Sequence, residues 1–163
     1  MVDVMRYNSW DRNFKAPFGA LKTSQNATIK VKVNKNFNVY SIKLIIEKED
    51  ENLKPVIVRE LDLKQVSEYN DIREYSVEIA PLQTPAVYYY FFVVELNIYG
   101  EDRTLFYGKT HNNGMACEYT YENLNKYQLT VYEDYKVPSW FKEGILYHVF
   151  VDRFNNGNRN GKV

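Results

Sequence analysis

The sequence predicts an all-β chain, an immunoglobulin-like β-sandwich, and three observations predict it. Alternation with a period of two recurs along most of the chain, while helical periodicity is nearly absent. Aromatic residues make up 16% of the 163, with 15 tyrosines against 7 glycines and 5 prolines, and such rings suit a pleated, half-buried surface. Turn-forming clusters separate the alternating runs at short intervals, which gives seven or so short strands over about 130 residues, as a sandwich requires.

Taken in order, the first clear strand puts Ala27, Ile29, Val31 and Val33 on one face and Thr28, Lys30 and Lys32 on the other. Asn34-Lys35-Asn36 supplies its turn. The next run sets Ile42, Leu44 and Ile46 against Ser41, Lys43 and Ile45, and ends in the charged stretch Glu47 to Asn52, read as a solvated loop. Pro55 to Leu61 is a shorter strand, with proline at its start where a missing donor is tolerated. Leu61 to Tyr69 reads as a loop or a helical turn. Ile72 to Ala80 alternates again, with Tyr75, Val77 and Ile79 on one face. Ala86 to Tyr99 is the most apolar segment, and its first half has the composition of a strand buried on both faces. A turn at Gly100-Glu101-Asp102 returns it through Arg103 to Tyr107 as a hairpin. Asn112-Asn113-Gly114 marks a further turn, and Tyr127 to Tyr132 is the last strand of the sandwich.

Composition excludes several classes of function. Lys and Arg number 21, Asp and Glu also 21, so the net charge is zero. That is not the basic footprint of a nucleic-acid binder. The single cysteine, Cys117, can form no intrachain disulfide. No run is long and apolar enough for a membrane helix, and the first residues lack the pattern of a signal peptide. The expected location is the cytoplasm, or outside the cell if a signal peptide has been removed. His111 and His148 are far apart, with no partners at metal-ligand spacing, so zinc is not expected. There is neither a phosphate-cradling glycine loop nor a nucleophile elbow.

The character changes after residue 135. Val137-Pro138-Ser139-Trp140 reads as a linker, and Gly144 to Val151 as an apolar strand of parallel-sheet type, followed by Asp152-Arg153-Phe154 and a loop of Asn and Gly. The run Pro138-Ser139-Trp140-Phe141-Lys142-Glu143-Gly144-Ile145-Leu146-Tyr147-His148-Val149-Phe150-Val151-Asp152-Arg153-Phe154-Asn155-Asn156-Gly157-Asn158 resembles the entry to the catalytic barrel of the α-amylase family of glycoside hydrolases. Upstream, the chain resembles in position, length and β character the N-terminal domain of the neopullulanase, cyclomaltodextrinase and maltogenic amylase group, and Tyr7 to Arg12 with Pro17-Phe18-Gly19-Ala20 is similar to the opening of related glycosidases that carry such a domain.

The resemblance implies three parts: a sandwich over residues 1–135, a linker over 136–144, and the start of a truncated (β/α)₈ barrel over 145–163. That first barrel strand, without barrel partners, is expected either to be loose or to add to a sheet edge. The resemblance further implies a parent enzyme that cleaves α-glucosidic bonds of starch, pullulan or maltodextrin with a carboxylate nucleophile and a carboxylic acid. Those carboxylates come from later barrel strands, so no catalytic residue is assigned in this chain, and Asp152 takes a structural role beside Arg153. The implied partners are an α-glucan or maltodextrin, the catalytic barrel and a second copy in a homodimer. Asn156 and Asn158 match a loop that binds calcium in some relatives; a plain Asn-Gly turn is the other reading. His148 stands where the family commonly has Gln, either facing the active site or packed on its strand. The accessory domain would shape the cleft or mediate dimerisation. The alternative is a stand-alone carbohydrate-binding module, whose aromatic platform would draw on Trp10, Phe14, Phe18, Tyr119 and Tyr121. Each of those five has a second reading as core or interdomain packing.

Overall fold

The computed structural model of the chain describes residues 4–150. Strands in chain order are β1 Met5–Arg6, β2 Lys15–Ala16, β3 Leu21–Lys22, β4 Ala27–Asn34, β5 Asn38–Glu49 and β6 Pro55–Asp62. They continue as β7 Lys64–Tyr69, β8 Ile72–Ile79, β9 Ala86–Ile98, β10 Glu101–Lys109, β11 Ala116–Tyr119 and β12 Tyr127–Tyr132. One sheet has five strands, with β4 at its centre between β8 and the short β1 and β2, and with β7 beyond β8. The other has seven, built around β9, which carries β5 and then β6 on one side. On its other side β9 pairs first with β12 and then with β10, and β3 and β11 lie outside these.

The alternation sets the inner faces. Ala27, Ile29, Val31 and Val33 of β4 meet Ile42, Leu44 and Ile46 of β5, the even-numbered residues Tyr88 to Leu96 of β9, and Leu129 and Val131 of β12. Each such side chain contributes about 1.5–3 kcal/mol on burial. At the centre lies a knot of rings. Tyr90 stacks on Tyr127 at 4.9 Å and 15°, and Tyr7 meets Phe92 and Tyr127 edge-on at 4.9 and 5.1 Å. The phenols of Tyr7 and Tyr90 share a hydrogen bond of 2.7 Å, which satisfies both in the buried interior.

Several local expectations are corrected. Residues 64–69 are neither loop nor helical turn but strand β7, and the chain crosses from one sheet to the other at buried Leu63. All six residues of β7 are exposed, so no apolar alternation betrays it. The stretch from Glu47 is not all solvated loop: β5 continues to Glu49, and Glu47 is only 3% exposed. The β9–β10 turn is the two residues Tyr99 and Gly100, between the pair Ile98 and Glu101. Both take positive φ, 54° and 89°, and Asn97 Oδ1 accepts the Gly100 N–H, as a tight primed hairpin turn demands. Within β9, burial on both faces centres on Tyr90 to Phe92, and Val87 is exposed.

Beyond β12, Ser139–Glu143 form a short helix, α1, inside the expected linker. Residues 145–150 form no strand, and Ile145, Leu146, Tyr147 and Phe150 are exposed. His148 is likewise exposed and stacks on Phe150 at 4.7 Å, so it is not the packed strand histidine of one reading. A parallel strand is buried on both faces by neighbours, and none pairs with this segment among the described residues. Asp152, Arg153, Phe154, Asn156 and Asn158 lie outside the described residues.

Candidate functional site

The structure disperses the five candidate aromatics and reunites two of them. Trp10 and Phe18 line one cleft of about 270 Å³ on the outside of the sandwich. Their side of the cleft is set by the N-terminal segment. Ser9 N–H donates to Gly114 O and Ala116 N–H to Tyr7 O, which ties residues 7–9 to the start of β11. Trp10 N–H donates to Asn8 Oδ1, and the following turn is closed by Phe14 and Lys15 N–H groups on Asp11 O. Gly114 is buried under this turn; a Cβ there would lie 2.8 Å from Trp10 Cδ1 and 2.7 Å from Ser9 Oγ. Only glycine lets the two segments close so tightly.

The rest of the cleft comes from elsewhere in the chain. In β12, Tyr127, Leu129 and Val131 point inward, so Gln128 and Thr130 point outward into the cleft beside Ser9, Gly19 and Ala20. Lys15 of β2 completes it. Lys15 is only 6% exposed and donates one hydrogen bond, to Gly19 O at 3.0 Å. Burial holds its ammonium below the ordinary lysine pKa, because desolvation disfavours the charged form. Sequence reasoning missed Lys15, Gln128 and Thr130. The outward phase of Gln128 and Thr130 was readable from their alternation; the inward turn of Lys15 had no signal.

The other three aromatics stand apart. Phe14 packs against the core, edge-on to Tyr7 at 6.0 Å, with Lys32 Nζ 5.5 Å from its ring centre. Tyr119 on β11 donates its hydroxyl to Lys109 O at 2.7 Å. Tyr121 lies on a 3-10 turn over the outer face of the large sheet, 6.4 Å from Phe91 and 5.3 Å from Phe106. Beneath it Phe91, Ile45 and Glu47 are buried, and Lys126 lies over Phe91 and pairs with Glu47.

These features define a class: a largely antiparallel β-sandwich with no catalytic constellation among the described residues, and with a shallow cleft lined by two exposed aromatic rings. The likeness of the sequence is to amylolytic enzymes. The chain is 24% identical over 96% of its length to an amylopullulanase of Thermoanaerobacterium thermosulfurigenes. It is 28% identical over 96% to one of Thermoanaerobacter thermohydrosulfuricus, and 24% over 96% to one of Thermoanaerobacterium saccharolyticum. The chain spans only 8%, 10% and 12% of the length of these three relatives. A solved cyclomaltodextrinase superposes with a TM-score of 0.45 at 15% identity, over 90% of this chain and 23% of that one. No protein-family model matches. Among the described residues no helix is long and apolar enough to cross a membrane.

Proposed function

We propose that this chain is the accessory front sandwich of a glycosidase that acts on α-glucosidic bonds of starch, pullulan or maltodextrin, set beside a catalytic barrel. The observation that supports it is the likeness to three amylopullulanases over 96% of the chain, together with the barrel-entry run from Pro138 to Asn158. The chemistry belongs to the barrel: two carboxyl groups flank the scissile bond. The sandwich contributes the shape of the cleft and the handling of polymeric substrate. The calcium expectation at Asn156 and Asn158 stays with that whole enzyme.

The test is to express the natural reading frame through and beyond Val163, with and without residues 1–135, and to assay pullulan, soluble starch and maltotriose. The expected result is hydrolysis by the long form, with the shortened form losing more activity on polymers than on maltotriose. A long form inert on all three substrates would remove this reading.

Self-association is a second reading, favoured by β6. Among the described residues this strand pairs with β5 alone, and Val56, Ile57 and Val58 are exposed on it. An open apolar edge is a template for another strand. Sedimentation at micromolar concentration tests it: a dimer that Ile57→Lys dissolves supports it, and a monomer rejects it.

A further inference from the structure

We infer that the buried Lys15 ammonium, in the cleft that Trp10 and Phe18 also line, is the receptor for a single carboxylate group. The inference stands on the cleft alone and not on the starch-acting role.

A buried charge calls for a counter-charge, because only a paired partner offsets the loss of water. In β2, Ala16 is exposed and Lys15 is turned inward, where it is only 6% exposed. No other Lys or Arg is buried to this degree among the described residues. Lys22, Lys30, Lys35, Lys43 and Lys126 are all more open, and each pairs with a carboxylate. Lys15 forms no ion pair among the described residues, and its hydrogen bond runs to Gly19 O at 3.0 Å. Asp11 is the nearest acid in sequence, yet its Oδ1 accepts the Asn13 N–H and it lines a different depression. Burial accordingly holds the ammonium below its ordinary pKa, the direction an unpaired buried amine takes.

The cleft can complete the pairing from outside. Lys15 lines it beside Gly19, Ser9, Gln128 and Thr130. An ammonium has three N–H donors, and Lys15 spends one on Gly19 O. Gln128 donates Nε2 to Thr130 Oγ1 at 3.2 Å. Its second amide N–H and the hydroxyls of Thr130 and Ser9 add further donors. The two oxygens of a carboxylate accept about four such bonds.

Charge and size narrow the ligand. The described lining residues include no Asp or Glu and no second cation, so one negative charge balances the site. A sulfate or phosphate dianion would leave an excess of charge, and a neutral ligand would leave the ammonium uncompensated. Trp10 and Phe18 line the same cleft and are 62% and 52% exposed. An acid with an apolar body therefore gains burial there that acetate does not. A volume of about 270 Å³ lies at the small end of ligand sites, with room for a small acid or the tip of one acidic side chain. A free acid and an acidic side chain of adjoining polypeptide present the same group, and the experiment separates them.

The 163-residue chain is titrated with sodium benzoate and with sodium acetate, at an ionic strength held constant by chloride, and the lysine Cε signals are followed by NMR. Saturable movement of the Lys15 signal and of the Gln128 side-chain amide is expected at millimolar benzoate, with acetate about fivefold weaker and the other lysines unmoved. The titration midpoint of Lys15 should rise in the presence of benzoate. Lys15→Met should weaken binding at least about tenfold and Gln128→Ala about threefold. Lys54→Met, at an exposed lysine outside the cleft, should change nothing. Three results overturn the inference: no saturable shift up to about 100 mM benzoate, binding that survives Lys15→Met, or sulfate bound in preference to benzoate.

The long form expressed beyond Val163 assigns the source. Acetylation of the Lys15 amine, read by peptide mass spectrometry, is compared with and without benzoate. Protection that appears only with benzoate identifies a free acid, and protection already complete without it identifies an acidic side chain of the adjoining polypeptide; both keep the carboxylate. Free labelling that ignores benzoate overturns it. A long form inert on starch would sink the role proposed above and leave this titration untouched.

Discussion

Two aromatic groups lie on the outside of the same large sheet, and they meet opposite fates. Around Phe91 a turn has folded back. Tyr121 covers Phe91 and Phe106, and Lys126 reaches over Phe91 to pair with Glu47. Around Gln128 and Thr130 the cleft stays open, and the Trp10 and Phe18 that line it remain exposed. The residue types are similar, but Phe91 and Phe106 sit on strands β9 and β10, whereas Trp10 and Phe18 sit in the connecting segments on either side of β2 in the sequence. The difference is what each side chain is asked to do: the covered group stabilises the sandwich, whereas the open one costs the fold little if removed.

Perturbations sharpen that contrast, from the largest to the smallest. Alkali should act on the interior first. Burial raises the pKa of Tyr7, Tyr90 and Tyr127 above the ordinary phenol value. The folded state therefore holds these phenols neutral where the unfolded chain would ionise them. Their contribution is complete below about pH 10 and declines as the pH rises beyond it. In an alkaline titration tyrosinate absorbance should rise in two phases, the exposed phenols first and the buried ones together with the loss of the sheet's circular dichroism; ionisation of every tyrosine with the sheet intact would contradict this.

Next comes the covered group. Lys126→Ala leaves Glu47 as a buried charge without its partner and should cost about 3 kcal/mol in urea denaturation. A loss below half of that would mean Glu47 finds water. Tyr7→Phe orphans the Tyr90 hydroxyl and should cost about 2 kcal/mol, while the double variant with Tyr90→Phe should cost much less than the sum of the single changes. The open cleft should give the smallest effect. Trp10→Ala and Phe18→Ala should each stay within about 0.5 kcal/mol of the native stability. A Trp10→Ala loss as large as that of Lys126→Ala would erase the distinction between the two groups.

Much of the sandwich was legible because its long strands alternate cleanly. Ile29, Val31 and Val33, or Ile42, Leu44 and Ile46, can face only one way once a sheet forms, and all six are buried. The three two-residue strands β1, β2 and β3 were not legible, since no period can be read from two residues. Nor was β7, whose place depends on pairing with β8 rather than on burial. Glu47 looked like the start of a charged loop because its partner Lys126 lies 79 residues away. The site was half legible. Trp10 and Phe18 stood out as aromatics outside the main strands, but Tyr119, Tyr121 and Phe14 stood out equally. What separates them is a meeting between segments more than a hundred residues apart, residues 9–20 with residues 128–130.

The parallel pairing of β3 with β12 has a mechanical consequence. Val131 and Tyr132 lie beside Leu21 and Lys22, Thr23 N–H donates to Tyr132 O, and Lys22 pairs with Asp134. Tension on the chain just beyond Tyr132 would therefore load the bonds to β3 and β9 in shear, several at once, instead of peeling them one by one. The sandwich is anchored at the point where the polypeptide leaves β12, and a tug from that side would be borne by the strand whose Gln128 and Thr130 line the cleft.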